Sequence, residues 1–221
     1  MTTTAPSSAF PLVQGTWALD TNHTSVGFTI RHLGVAKVRG RFNDVAAELV
    51  VGPTLAESSV TATVALASVD TGKAERDAHV RAPDLLDVEN RSTMSFPSTT
   101  LRGEGSDWAL EGELTIGDVT RPLTLAVELG GIESFYDGTR HAGFEATGEI
   151  RRRDFGLGFG PLGAMLGEVV KIELDLEFIE PRRLHRIRAA SGGLYQRGRL
   201  PRRPRRRLTD PRLRHTTVRH L

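Results

Sequence analysis

The chain has 221 residues, of which 38% are hydrophobic and 25% charged, the composition of an ordinary globular protein. It contains no cysteine, which excludes disulfides, thiolate metal sites and cysteine nucleophiles. No segment approaches the roughly 18 apolar residues of a membrane span, and residues 1–14 lack the basic and apolar regions of a signal peptide. We therefore expect a cytoplasmic protein with a flexible leader at 1–14.

The net charge of +2 conceals two unlike parts. Residues 1–181 contain 15 Lys and Arg against 26 Asp and Glu, whereas residues 182–221 contain 14 Arg and one acid, Asp210. Apolar periodicity stops near Pro181, so we expect a disordered basic tail at 181–221. Its arginines could bind nucleic acid or an anionic membrane by counterion release. A shifted reading frame in GC-rich DNA would produce the same composition, and we favour that interpretation.

Along the body, apolar and polar residues alternate with period two, which is typical of strands with one buried face. Turn signals such as Gly117-Asp118 separate these segments. From ten such segments, three of them weaker in pattern, we expect roughly eight or nine strands in a meander. The segments, in chain order, are Trp17–Leu19, Val26–Ile30, Val38–Phe42, Val45–Val51, Val60–Leu66, Thr93–Leu101, Trp108–Ile116, Leu123–Leu129, Ala142–Ile150 and Val170–Phe178.

Helix is scarce in this pattern. We predict one short helix over Lys73–Arg81, ended by Pro83, and a second helical turn over His32–Ala36. Strands without helices to cover them must pack on one another, as a sandwich or a closed barrel. Small inward residues favour a hollow barrel, although larger residues elsewhere could fill a sandwich core. These small residues are Ala62, Gly112, Ala142, Ala146 and Gly148.

Two polar motifs have alternative interpretations. His23 could belong to a metal or acid–base site with Asp20 orienting it, but a turn whose side chains cap backbone donors is the commoner meaning. We find no second histidine or carboxylate at ligand spacing, and we expect no metal. Arg76 could contact a ligand head group or pair with Glu75 or Asp77 in solvent. His32, near the end of its strand, could likewise contact a ligand head group or face solvent.

The order of motifs resembles the YceI-like family from about Gly15 to Glu180. The resemblance begins with Trp17-Ala-Leu-Asp-Thr-Asn-His-Thr-Ser25 and continues through Arg31-His-Leu-Gly34. Further motifs keep the family's order: Val38-Arg-Gly-Arg-Phe42, Asp84-Leu-Leu-Asp87, Met94-Ser-Phe-Pro97, Gly112-Glu-Leu-Thr-Ile-Gly117 and Arg153-Asp-Phe-Gly156.

This resemblance implies an all-β fold over 15–180: an eight-stranded antiparallel, lipocalin-like barrel with a short helical cap and a long tunnel. Members hold polyisoprenoid chains or isoprenoid quinones, with the head group near the mouth. Such a chain offers no hydrogen bonds, so burial of apolar surface must supply its affinity. The candidate ligand-binding residues are Phe28, Ile30, His32, Val64, Leu66, Arg76, Phe96, Trp108, Leu114, Leu125, Phe144, Phe155, Ile172, Leu174 and Phe178.

The leading hypothesis is binding, storage or transport of an isoprenoid or isoprenoid quinone inside the barrel, with a small amphiphilic lipid as the partner. The alternatives are a non-catalytic adaptor and a stress-related scavenger of lipophilic small molecules. We expect no cofactor and no enzymatic activity, because no acid, base and nucleophile converge in the sequence. Two barrels could also pair as a homodimer.

Overall fold

The computed structural model describes residues 11–158 and 160–181. Residues 1–10 of the predicted leader and the tail from residue 182 lie outside these ranges. Within them, no helix has the length and hydropathy needed to cross a bilayer.

Eleven strands make up most of the described chain, and α1 (Ala74–Arg81) is its one α-helix. The strands are β1 (Gly15–Leu19), β2 (Ser25–His32), β3 (Ala36–Phe42), β4 (Val45–Val51), β5 (Ser59–Ala65), β6 (Val69–Asp70), β7 (Thr93–Glu104), β8 (Asp107–Ile116), β9 (Val119–Ser134), β10 (Arg140–Arg151) and β11 (Leu166–Ile179).

These strands close into an eight-stranded antiparallel barrel. β1 pairs with β4 on one side and with β11 on the other, which closes the ring β1–β4–β5–β7–β8–β9–β10–β11. β2, β3 and β6 are continuations of the strands that contain β1, β4 and β5, because β2 also runs along β11, and β3 lies between β2 and β6. The predicted meander and barrel are confirmed, with three of the eight strands interrupted.

The meander places the connections at two opposite ends of the barrel. The end that we call the helical end contains the turn 33–35, α1, the hairpin turn 117–118 and the segment 152–165. The opposite end, the far end, contains the segment 52–58 and the hairpin turns 105–106 and 135–139. Polar side chains on these connections can reach the barrel interior only at the end to which each connection belongs.

Large apolar side chains pack the far half of the barrel. Trp17 is fully buried, and its indole Nε1 donates to the carbonyl oxygen of Val13 at 2.8 Å. Leu12 is also buried, and Val13 packs against the core. Two residues of the predicted leader, Leu12 and Val13, therefore contact the barrel, and flexibility of the leader stays a prediction.

The predicted helix is confirmed over Ala74–Arg81, one residue shorter than expected, with Lys73 in extended conformation before it. The predicted helical turn over His32–Ala36 is wrong. His32 ends β2, Ala36 begins β3, and the amide of Val35 donates to the carbonyl of His32 at 3.1 Å. Leu33 and Gly34 have positive φ angles of 51° and 71°, which form a tight reversal between strands instead of a helix.

Candidate functional site

The barrel encloses a cavity of about 640 Å³. This volume lies within the range of small-molecule sites in proteins, roughly 300–1,000 Å³. Its wall comes from alternate residues of the strands, whose side chains point inward because successive side chains of a strand point to opposite faces. Isoleucine, leucine, valine and phenylalanine supply most of this wall.

Fourteen of the fifteen predicted ligand-binding residues line this cavity. They are Phe28, Ile30, His32, Val64, Leu66, Arg76, Phe96, Trp108, Leu114, Leu125, Phe144, Ile172, Leu174 and Phe178. Phe155 is the exception: it is buried in the 3₁₀ turn after β10, where strand alternation no longer sets its direction, and it does not line the cavity. Contact of these residues with a ligand stays a prediction.

The small inward residues predicted from the sequence explain the cavity only in part. Ala62 and Ala146 do line it, as expected of small inward residues. Gly112 and Gly148 leave no empty space, however. A Cβ atom on Gly112 would lie 2.5 Å from Cζ of Phe96, and one on Gly148 would lie 2.7 Å from Cδ2 of Leu125. These two glycines make room for large neighbouring side chains, while the hollow follows from barrel closure.

Polar groups reach the cavity at the helical end. His32 ends β2, Thr71 follows β6, Arg76 and His79 belong to α1, and Arg152 follows β10. Arg76 and His79 are the lining residues, within the described chain, that are exposed to solvent. The cavity therefore combines an apolar bore with a polar mouth beside α1.

Hydrogen bonds with Thr71 hold Arg76 at this mouth. Its Nε donates to Thr71 Oγ1 at 2.7 Å, and its Nη2 donates to the Thr71 carbonyl at 2.6 Å. Asp77 is buried and accepts from the backbone amide and the hydroxyl of Thr71. The predicted alternative, a solvent pair of Arg76 with Glu75 or Asp77, is wrong because Asp77 is engaged by Thr71 and Arg76 bonds to Thr71 itself.

Arg152 is a cavity residue that the sequence analysis missed. It is 1% exposed and donates five hydrogen bonds to backbone carbonyls. A signal for it was available, because Arg152 directly follows β10 and continues by one step the alternation of the inward residues Ala142, Phe144, Ala146 and Ile150. The acceptors are the carbonyls of Leu157, Gly158, Gly163, Leu166 and Gly167, so this guanidinium ties the segment after β10 to the start of β11.

A second polar cluster lies on the outer wall, nearer the far end. Asp20 accepts a hydrogen bond from the amide of Asn22 at 2.9 Å, so the predicted capping turn is confirmed. His23 Nδ1 lies 3.0 Å from Asp20 Oδ2 and 3.8 Å from Glu177 Oε1, and Glu177 also contacts His141 Nδ1 at 2.6 Å. The expectation that no further histidine or carboxylate lies nearby is wrong, since β10 and β11 bring them from distant positions in the sequence.

Electrostatics within this outer cluster follow from the short contacts. The hydrogen bond to Asp20, with the charges of Glu177 and Asp20, raises the pKa of His23 above its ordinary value. The hydrogen bond from His23 is the largest influence that lowers the pKa of Asp20. The contacts join the turn after β1 to β10 and β11. That the protein holds no metal stays a prediction.

Comparison with known proteins identifies a matching family and similar sequences. The family described as YceI-like domain matches residues 17–178. A UPF0312 protein of Photorhabdus laumondii is 38% identical over 134 residues, which cover 60% of this chain and 70% of that protein.

Solved structures of similar proteins share the architecture. The YCEI protein of Campylobacter jejuni is 30% identical, with a TM-score of 0.62 over 74% of this chain and 97% of its own. A polyisoprenoid binding domain from Saccharophagus degradans is 16% identical, with a TM-score of 0.56 over 75% of this chain and 98% of its own, and so shares the fold. The match over residues 17–178 shows that the chain belongs to the YceI-like domain family.

Proposed function

We propose that the protein binds an isoprenoid or isoprenoid quinone inside the barrel and stores or transports it. The observation that carries this proposal is the cavity of about 640 Å³, with an apolar bore and polar groups gathered at one end. An apolar cavity of this kind disfavours water and gains free energy when a hydrocarbon chain enters it. The Saccharophagus degradans domain, described as binding polyisoprenoid, supports the choice of ligand class.

The arrangement suits an amphiphile that enters with its tail first. Phe28, Trp108 and Phe178 line the bore and can contact a hydrocarbon tail, but they offer it little hydrogen bonding. At the mouth, Arg76 Nη1 has no hydrogen-bond partner among the described residues, whereas Nε and Nη2 are held by Thr71. A head-group oxygen of a quinone or a phosphate would accept from Nη1. The tail would supply affinity, and the head group would set orientation.

The test compares two neighbouring alanines on β4. Ala47 lines the cavity, whereas Ala46 is exposed on the outer face. We expect Ala47→Phe to fill part of the bore and to weaken binding of geranylgeraniol and decylubiquinone by about tenfold or more, since the lost burial is worth more than about 1.4 kcal/mol. Displacement of the fluorescent probe N-phenyl-1-naphthylamine measures this binding.

Ala46→Phe is the matched control and should bind both ligands as the parent chain does. Urea unfolding of both variants shows whether the barrel is intact. Equal binding by a folded Ala47→Phe variant and the parent chain would show that ligand does not occupy the bore. Equal affinity for chemically unrelated lipophiles would favour the alternative role of a scavenger.

A further inference from the structure

The β2–β3 hairpin has an unusual tip. Leu33 and Val35 are 60% and 80% exposed, so two apolar side chains stand in solvent on either side of Gly34. Leu33 and Gly34 both have positive φ, which is the pattern of a type I′ turn. Turns of this type favour Asn, Asp or Gly at the position that Leu33 occupies. Leu33 is therefore disfavoured twice, by backbone conformation and by exposure of its side chain to water.

The charge of the hairpin is opposite to that of the rest of the barrel. Residues 25–42 contain Arg31, Lys37, Arg39 and Arg41 and no acidic residue, although residues 1–181 as a whole carry 11 more acidic than basic side chains. Arg41 pairs with Asp70 at 3.2 Å. Arg31, Lys37 and Arg39 are exposed and form no ion pair with the described residues. Three cationic groups thus flank the apolar tip.

The hairpin also forms part of the cavity mouth. His32 and Val38, on either side of the tip, line the cavity. The amide of Leu33 donates to the carbonyl of Met165, itself a lining residue, at 2.7 Å. A surface that bound Leu33 and Val35 would therefore lie close to the opening beside α1.

We propose that this hairpin docks the helical end of the barrel on an anionic lipid bilayer. Leu33 and Val35 insert at the boundary between head groups and acyl chains, while Arg31, Lys37 and Arg39 contact anionic head groups. Because residues 1–181 are acidic as a whole, an anionic membrane favours the orientation in which the basic hairpin faces it. Passage of ligand between bilayer and cavity in this orientation rests on the function proposed above, whereas the docking does not.

The test places a reporter at the tip of the full chain. Val35→Trp is mixed with vesicles of brominated phosphatidylcholine and phosphatidylglycerol, and quenching of the added tryptophan is measured against the unsubstituted chain. Trp17 and Trp108 are both buried and provide a constant background. We expect quenching and a blue shift with phosphatidylglycerol present. In the same reporter chain, changing Lys37 and Arg39 to Gln should weaken vesicle binding about 30-fold, because each cation contributes about 1 kcal/mol near such a surface.

Tyr136→Trp is the matched control, since Phe135 and Tyr136 are exposed apolar residues on a hairpin of the far end. The segment from residue 182 is present in every variant, so any attraction that it adds is common to all. Quenching equal at positions 35 and 136, or binding unaffected by loss of Lys37 and Arg39, would overturn the proposal. No quenching at position 35 would also overturn it, and a protein partner would then be the remaining occupant of the tip.

Two further variants separate docking from folding and from ligand binding. Leu33→Asn should weaken docking while leaving the urea midpoint unchanged or raised, because Asn suits the turn better. The Ala47→Phe variant should dock as the parent chain does, even though its bore is partly filled. Loss of docking in Ala47→Phe would contradict the proposal, whereas loss of ligand binding alone would concern only the cavity.

Discussion

At the scale of single residues, His23 shows how contacts distant in sequence set a titration. Its raised pKa comes first from the hydrogen bond to Asp20 and then from the charge of Glu177. We therefore expect Asp20→Asn to return the pKa of His23 toward its ordinary value, and Glu177→Gln to do so by a smaller step. Titration of the His23 ring signals by NMR measures both shifts. An unchanged pKa in Asp20→Asn would show that the pair does not form.

The same pair contributes to stability over a limited pH window. A raised histidine pKa contributes stability below the ordinary value of 6.5 and loses it as the pH rises through the raised pKa. A lowered carboxyl pKa contributes above the ordinary value of 3.8 and loses it as the pH falls through the lowered pKa. The difference in urea midpoint between the parent chain and Asp20→Asn should therefore be largest between these two values.

Arg152 is a buried cation whose hydrogen bonds stabilise the segment between β10 and β11. Arg152→Met would leave several buried carbonyls without donors, and we expect the free energy of unfolding to fall by at least about 3 kcal/mol. Arg153→Met is the control, because Arg153 is exposed and forms one surface ion pair with Glu168 at 3.0 Å, worth less than about 1 kcal/mol. Equal losses in urea unfolding would contradict this assignment.

At the scale of elements, glycines on the strands have unequal roles. A Cβ atom on Gly112 of β8 would lie 2.6 Å from the carbonyl oxygen of Pro97 and would also meet the ring of Phe96. A Cβ atom on Gly143 of β10 meets nothing within 4 Å. We expect Gly112→Ala to destabilise the barrel by about 1–3 kcal/mol through overpacking. Gly143→Ala should stay within about 0.5 kcal/mol, and similar urea midpoints for the two would refute this contrast.

Strand alternation made most of the elements predictable. Inward parity identified twelve of the fourteen cavity residues, because a side chain's face is fixed once its strand is recognised, whereas His32 and Arg76 were chosen for their polar chemistry. The same rule failed for Phe155, which lies in a turn, and it was not extended one step past Ile150 to find Arg152. The turn at Leu33 could not be predicted from local preference, since Leu is unusual at positive φ.

At the scale of the whole molecule, pairings between strands distant in sequence settle the choice between a sandwich and a barrel, which the sequence left open. Closure of β1 on β11 selects a barrel over a sandwich, and no local pattern specifies that pairing. The cluster of Asp20, His23, Glu177 and His141 arises from the same closure, which is why it was missed. The two ends of the bore therefore differ: polar groups lie at the helical end and large apolar residues lie toward the far end.

The central claim, that the bore holds an apolar ligand, is tested most directly by native mass spectrometry of the protein purified from its own host. We predict an intact mass that exceeds the polypeptide by one apolar molecule, which unfolding releases into organic solvent. Ala47→Phe, purified in the same way, should carry less of it. A mass equal to that of the bare polypeptide, together with no uptake of added prenyl quinones, would contradict the account.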